Sequence, residues 1–227
     1  MNEWKKQEIN EYECLEPFEE QNEIKGPFRK FLRRFIDEYG KFIFLNILFI
    51  FCSLPIVTIG LSITGLFYVV RRFVEDEYVD VFYHFKKGII DNFKKSLIAG
   101  VFVLLTIAVV YSLFYIGYYN GVILDNFIGK LILIMSFFIF FIGLMVHLFV
   151  FTMIVRYDIP LRRIYRNTFG ILMLNMTKSI VITSIPIVIS IILLMIPYAS
   201  NLYLILYFSI VSYIVISNIL NIFIRYE

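Results

Sequence analysis

The chain has 227 residues, of which 60% are hydrophobic and only 17% are charged. A soluble domain usually has about 45–50% apolar and roughly 25% charged residues, so this composition excludes an ordinary soluble protein and indicates one that faces lipid. The net charge is +3, and the distribution of the charges along the chain is more informative than their sum.

The N-terminal part of the chain divides into two regions of different character. Residues 1–25 form an acidic arm in which eight glutamates accompany three lysines. The arm lacks sustained apolar periodicity, which predicts a mobile, solvated segment. Residues 26–227 are predicted to form a helical membrane domain. It begins with residues 28–41, where one helical face is apolar and the other basic, as is typical of a helix lying in a membrane interface.

Four long apolar segments lie further along the chain. Each has about the 20 residues that a helix needs to cross a hydrocarbon core of roughly 30 Å. Helices satisfy their own backbone groups in lipid, whereas strands must close into a barrel, so these segments are predicted to be membrane helices. They occupy residues 96–118, 128–155, 179–198 and 202–224.

A fifth apolar stretch, residues 42–70, is interrupted by Pro55 and Gly60, which break or turn a helix. It is either one kinked span or a short hairpin or re-entrant loop that turns at residues 54–60. Both of its flanks are rich in Lys and Arg, and such residues stay on the cytoplasmic side. This favours the hairpin, with both termini cytoplasmic. The predicted fold is therefore all-α and polytopic, with about six membrane segments, the first two short, in the cell membrane.

The connectors show a loose threefold order. A basic amphipathic stretch precedes a hairpin at residues 28–41, 78–95 and 160–178, and Asn92-Phe-Lys-Lys-Ser96 faintly echoes Asn175-Met-Thr-Lys-Ser179. Such an order indicates either an ancient repeat or a common requirement of interfacial connectors. The basic residues are also expected to bind anionic lipid headgroups, at about 1 kcal/mol for each charge near the surface.

Motifs that carry chemistry are missing from the sequence. It contains no G-x-S-x-G, H-E-x-x-H, P-loop or dinucleotide-binding turn, and its two cysteines and two histidines match no metal-binding spacing. We therefore expect no enzymatic activity, catalytic residue, cofactor or metal site. Nucleic acid is not an expected partner, because membrane orientation already explains the placement of the basic residues.

A few polar residues in or beside the apolar segments remain as functional candidates. His147 is an ionisable side chain within a span, which makes it either a functional residue or a neutral imidazole bonded to a neighbouring helix. Arg156 and Asp158 flank a predicted membrane boundary, where they serve as anchors or bind a ligand headgroup. Asn46, Asn218 and Asn221 are expected to form hydrogen bonds between helices or to line a cavity.

Several segments together resemble one family of bacterial membrane proteins. Residues 46–60 read NILFIFCSLPIVTIG, and a later connector matches at Phe82, Phe85, Lys86, Asn92, Phe93, Lys94 and Ser96. A further element fits at Asn167 and Asn175. These features resemble the YesL-like family, also called DUF624, over about residues 28–225. The resemblance implies a small multi-pass protein without an established activity. It also implies, through frequent gene proximity in the family, a part in carbohydrate ABC uptake or its sensing.

Two functional hypotheses follow from these observations. The first is a non-enzymatic accessory or scaffold protein that binds transporter or sensor subunits in the membrane. The second is a small transporter or channel, since broken helices often line substrate sites in transporters. In that case the break from Pro55 to Gly60 forms the site, and Asn46, Thr58, Ser62 and His147 line the path.

Overall fold

The computed structural model describes residues 27–195 and 206–225, and all regular elements within these ranges are helical. The predicted acidic arm, residues 1–25, lies outside the described residues. The helices are α1 (Pro27–Ser53), α2 (Ile59–Val74), α3 (Val81–Asp91), α4 (Phe93–Tyr118), α5 (Phe127–Arg156), α6 (Leu161–Leu174), α7 (Met176–Met195) and α8 (Phe208–Phe223). Contacts divide the chain into one unit ending at Asp37 and another starting at Glu38.

The predicted all-α membrane fold is confirmed. Four helical segments are long and apolar enough to cross a membrane, namely Ile56–Val74, Phe93–Ile123, Phe127–Arg156 and Met176–Met195. The last predicted segment, residues 202–224, corresponds to the 16-residue helix α8, and residues 202–205 lie outside the described part. In α1, the apolar part from Phe42 to Ser53 rises only about 18 Å, less than the roughly 30 Å of a hydrocarbon core.

The first apolar stretch is a helical hairpin. Helix α1 ends at Ser53, a short 3₁₀ turn covers Ile56–Thr58, and α2 begins at Ile59. Phe42 and Phe73, which lie far from the break in opposite directions along the chain, stack with ring centroids 4.8 Å apart. A single kinked span would place these two residues at opposite ends, so the hairpin interpretation agrees with the structure and the kinked span does not.

Three junctions between amphipathic and apolar helical segments share one backbone conformation. The φ and ψ angles are −128° and 26° at Glu38 within α1, −113° and 15° at Asn92, and −125° and 37° at Asn175. The amide side chain of Asn92 donates to the Gly88 carbonyl at 3.2 Å, and that of Asn175 donates to the carbonyl four residues before it at the same distance. The faint echo in the sequence therefore marks equivalent positions, which supports an internal repeat.

The protein core lies where the second helices of the three hairpins meet. Helices α2, α5 and α8 pack against one another, and buried side chains concentrate on α2, on α8 and on the last turns of α5. Large apolar residues such as Phe73, Phe149, Phe151 and Ile216 fill this region and are almost fully buried. The centre is therefore packed and apolar, unlike a water-filled pore.

The second hairpin, formed by α4 and α5, extends from this core and is mostly exposed. Only 11% of the most apolar stretch of α4 and 6% of that of α5 are buried. The two helices pack closely along each other, and at Gly117 and Gly121 a Cβ would lie within 3 Å of backbone atoms of α5. Helices α4 and α5 thus form a tight pair whose outer faces remain exposed.

Candidate functional site

Thr58 completes the break between α1 and α2. Its hydroxyl lies 2.6 Å from the carbonyl oxygen of Cys52 and 2.7 Å from that of Pro55, so its single proton serves one of them or is shared. Carbonyls in the last turn of a helix lack intrahelical partners, and Thr58 supplies one. Ser62 in turn donates to the Thr58 carbonyl at 3.1 Å. The hydroxyls of Thr58 and Ser62 therefore both donate to nearby backbone carbonyls.

Gly60 marks a close approach of α2 to α4. A Cβ built on Gly60 would lie 2.4 Å from the carbonyl oxygen of Ser96 and 2.5 Å from the Cα of Gly100. One turn further on, the hydroxyls of Thr64 and Ser96 lie 2.7 Å apart, and both side chains are buried. The Thr64 proton goes to the Gly60 carbonyl at 2.9 Å, so Thr64 accepts from the Ser96 hydroxyl. Small residues that let two backbones approach, with a hydrogen bond beside them, are a usual means of joining membrane helices.

Arg156 is held at the end of α5 by an ion pair to another connector. Its guanidinium lies 2.7 Å from one carboxylate oxygen of Glu75, while the other oxygen lies 3.2 Å from the Arg71 guanidinium. Arg71 also donates to the Val155 carbonyl. One carboxylate therefore joins two arginines and ties the end of α2 to the end of α5.

Asp158 makes a second tie at the same end of the protein. The Lys95 ammonium lies 2.6 Å from its carboxylate, which joins the start of α4 to the residues that follow α5. The hydrogen bond from Lys95, together with the lysine charge, holds the pKa of Asp158 below its ordinary value. A polar recess of about 290 Å³, lined by Asp91, Asn92 and residues 154–158, lies beside this pair.

The asparagines within the apolar segments differ in their roles. The side-chain oxygen of Asn46 accepts from the backbone N–H of Ser209 at 3.2 Å, so α1 supplies a partner for the first turn of α8. The expected hydrogen bond between helices is thus present at Asn46. Asn218 instead donates to the Ile214 carbonyl of its own helix, so the expectation was wrong there. Asn221 is exposed.

His147 is bonded to a neighbouring helix. Its Nε2 lies 3.1 Å from the hydroxyl of Thr106 on α4, and that hydroxyl also lies 2.8 Å from the Phe102 carbonyl. A carbonyl only accepts, so the Thr106 proton goes to Phe102 and Thr106 accepts from the Nε2–H of His147. These contacts place a proton on Nε2 of His147.

An apolar cavity of about 800 Å³ adjoins this pair, between α2, α4, α5 and α7. Phe67, Val110, Phe140 and Ile187 represent its lining from the four helices. The cavity is of the size of ligand pockets, which hold about 300–1,000 Å³. It has an almost wholly apolar wall, which suits a hydrocarbon group and not a hydrated solute.

The sequence-based candidates do not converge on one site. His147 lines the apolar cavity, whereas Pro55, Thr58 and Gly60 form the first hairpin turn and its contact with α4. Arg156 and Asp158 lie together with their partners Glu75 and Lys95 at one end of the helices, called the basic end below, and Asn175 forms a helix junction. Among residues 27–195 and 206–225, no group of three or more His, Cys, Asp or Glu is placed to hold a metal ion.

Sequence reasoning missed the partners that make these positions specific. Glu75, Lys95, Thr106 and Gly100 each contact a candidate residue over a large sequence separation. Tyr165 was also missed; its hydroxyl is buried, and burial raises its pKa to about 12. The one local signal was the i, i+4 spacing of Arg71 and Glu75, which is typical of an ion pair on a helix.

Long apolar helices, amphipathic connectors and ion pairs gathered at the basic end define a polytopic α-helical membrane protein. The family described as "Protein of unknown function, DUF624" matches residues 42–114, which confirms the resemblance seen in the sequence over that part of the chain. The match covers the first hairpin, α3 and most of α4. Neither the curated proteins nor the solved structures gave a significant match.

Proposed function

We propose that this protein is a non-enzymatic accessory or scaffold protein of the cell membrane. Its partner would be a carbohydrate ABC importer or the sensor that regulates it, as the family resemblance implies. The observation that carries the proposal is the exposed α4–α5 hairpin, whose apolar stretches are only 11% and 6% buried. Such a pair of long helices offers a wide surface to a partner's transmembrane helices.

The hydrogen bonds and ion pairs of the polar residues support the same proposal. Thr58, Ser62 and Asn46 bond to backbone groups, and Arg156 and Asp158 are engaged in ion pairs. Groups used in this way hold helices together and are not poised for substrate chemistry. The protein therefore offers helix surface more than reactive side chains.

The orientation of the chain forms part of the proposal. Lys41 lies 5.6 Å above the ring of Tyr78, Arg156 pairs with Glu75 and Lys95 pairs with Asp158, so the basic connectors from residue 41 onward gather at one end. Lys and Arg accumulate on the cytoplasmic side of membrane proteins. We therefore propose that this end faces the cytoplasm, together with both termini.

The alternative of a small transporter or channel has less support. Of the four residues that would line its path, only His147 lies at the cavity, while Asn46, Thr58 and Ser62 serve other contacts. The cavity wall is also almost wholly apolar, which would hinder a hydrated substrate.

Co-purification combined with site-directed photocrosslinking tests the proposal. A photoreactive residue would replace Phe138 or Ile134 of α5 in a chain tagged at its C-terminus. After irradiation of native membranes, the protein would be extracted in mild detergent. Val181 on α7 is the matched control, since it is a similarly exposed apolar residue on another membrane helix. We expect transporter or sensor subunits to be captured from α5 and not from Val181. Recovery of the protein alone under several mild conditions would count against an accessory role and lead to liposome flux assays.

A further inference from the structure

We propose that this protein has a specific site for an anionic glycerophospholipid, with an acyl chain in the apolar cavity and the phosphate at the arginines of α6. The site does not depend on the proposed protein partner. Three features support the site: the depth of the cavity, the charge on α6 that no described carboxylate pairs, and the contact between α6 and α4.

The cavity lies at the depth of the hydrocarbon core and opens sideways. Its lining comes from helices that are long enough to span a membrane. Ile107, Tyr111 and Phe137 belong to the lining and are also exposed on the outer surface of the hairpin. Acyl chains are the solvent at this depth, and an apolar opening of this size admits them readily.

Helix α6 carries positive charge that the described part of the protein does not neutralise. Its sequence, LRRIYRNTFGILML, contains three arginines and no carboxylate. Arg162, Arg163 and Arg166 are exposed and form no ion pair with any described residue. In contrast, Arg156 and Lys95 on the neighbouring elements have acidic partners. The charge on α6 is thus complementary to an anionic headgroup at the interface.

Tyr165 joins the basic helix to α4, one residue before the cavity lining on α4 begins. Its ring meets that of Phe102 edge to face, with centroids 5.5 Å apart. Arg162 and Arg166 are spaced i, i+4 on either side of Tyr165, so they share a face of α6 near this contact. Val103, which follows Phe102, lines the cavity, and the lining on α4 continues past Val110. The rise from Phe102 to Val110 is about 12 Å, within the reach of an acyl chain that fills one leaflet.

Photocrosslinking with defined lipids tests both parts of the site. The purified full-length protein would be incubated with phosphatidylglycerol or phosphatidylcholine bearing a photoreactive group in one acyl chain, and the labelled residues would be mapped by mass spectrometry. We expect phosphatidylglycerol to label the cavity lining of α4 and α5 more strongly than phosphatidylcholine does.

Two pairs of variants make the test specific. Val110→Trp fills the cavity, while Val109→Trp adds the same side chain at the adjacent exposed position. Only Val110→Trp should lower the labelling, by at least about tenfold if the acyl chain is excluded from the cavity. Arg162→Gln with Arg166→Gln should reduce the preference for phosphatidylglycerol by up to about 30-fold. Lys86→Gln with Lys87→Gln, the same charge loss on α3, should leave that preference unchanged.

Several outcomes would overturn the site. Equal labelling in the two tryptophan variants would show that the lipid is not in the cavity. An equal loss of preference in the two double variants would reduce the headgroup contact to general surface charge. Capture of a co-purified polypeptide at the same residues, in place of lipid, would assign the apolar cavity to a protein partner. The arginine variants leave the packed core untouched, so their result stands even where Val110→Trp misfolds.

Discussion

Phe42 and Phe73 stack face to face, with ring centroids 4.8 Å apart and ring planes inclined by 13°. The two residues lie at the open end of the first hairpin, opposite the break at Pro55. Both side chains are fully buried, and the ring of Tyr213 from α8 lies 6.0 Å from that of Phe42. The stack therefore joins the first hairpin to the last at the basic end of the protein.

Removal of this stack should destabilise the protein. In Phe42→Ala a buried ring is lost and a cavity remains, which in soluble proteins costs about 3–5 kcal/mol. We expect a smaller loss, about 2 kcal/mol, because lipid solvates an apolar side chain as well as a protein core does. Unfolding in mixed detergent micelles measures the change. Phe51→Ala, on the same helix but exposed, is the control and should have little effect. Equal losses in the two variants would contradict the assigned role of the stack.

The hairpin also predicts which side of the membrane its turn faces. Val57 lies in the turn and is 65% exposed. With Cys14 and Cys52 replaced, Val57→Cys should react with an impermeant thiol reagent added outside intact cells, while Tyr78→Cys at the basic end should react only after permeabilisation. Reaction of Val57→Cys from the cytoplasmic side alone would reverse the orientation. Protection from both sides would place the turn within the bilayer and make the hairpin re-entrant.

The sequence predicted the helical elements well because their signals are local. Apolar length located α4 and α5 to within a few residues, and Pro55 located the break in the first hairpin. The boundary at Asn92 was missed, since residues 78–95 read as one continuous amphipathic stretch. Only the backbone angles at Asn92 and Asn175 reveal that each is a junction between two helices.

The candidate site was less predictable because its contacts are long-range. His147 stood out as a polar residue in an apolar span, but its partner Thr106 lies 41 residues earlier and resembles many other threonines. The same holds for Arg156 and Glu75, which are 81 residues apart. Cavities are also defined by what several helices leave unfilled. A single chain position carries no signal for that property.

The hydrogen bond between Thr106 and His147 should contribute modestly to stability. Thr106→Val keeps the shape of the side chain and removes the only hydrogen-bonding partner of the imidazole among the described residues. Hydrogen bonds between membrane helices contribute about 0.6 kcal/mol on average, and we expect a loss of about 1 kcal/mol because the imidazole is left unsatisfied. Ser112→Ala is the control, since Ser112 bonds only within its own helix. No difference between the variants in detergent unfolding would argue against the interaction.

The pair between Lys95 and Asp158 predicts a dependence of stability on pH. Because Lys95 lowers the pKa of Asp158 in the folded protein, the pair stabilises the fold above the ordinary pKa of the carboxyl. The contribution of the pair is lost gradually as the pH falls from about 4, near the ordinary pKa of the carboxyl, to the lowered pKa of Asp158. Asp158→Asn should therefore lower Tm at pH 7 and have a smaller effect at pH 3. A cycle with Lys95→Gln provides the check, since the two substitutions should be non-additive at pH 7 and closer to additive at pH 3.

The close approach at Gly60 gives the sharpest structural prediction. In Gly60→Ala the new methyl group would meet backbone atoms of Ser96 and Gly100 at 2.4 to 2.5 Å, and backbone cannot move aside as a flexible side chain can. Helices α2 and α4 would have to separate, which would also strain the hydrogen bond between Thr64 and Ser96. Overpacking typically costs about 1–3 kcal/mol, and we expect the upper part of that range.

Gly170→Ala in α6 is the matched control, because a Cβ there meets nothing within 4 Å. Alanine is favoured over glycine within a helix by about 0.5–1 kcal/mol, so the control should be neutral or stabilising. Detergent unfolding of both variants separates the two cases, and tolerance of Gly60→Ala would show that α2 and α4 do not pack as closely as described.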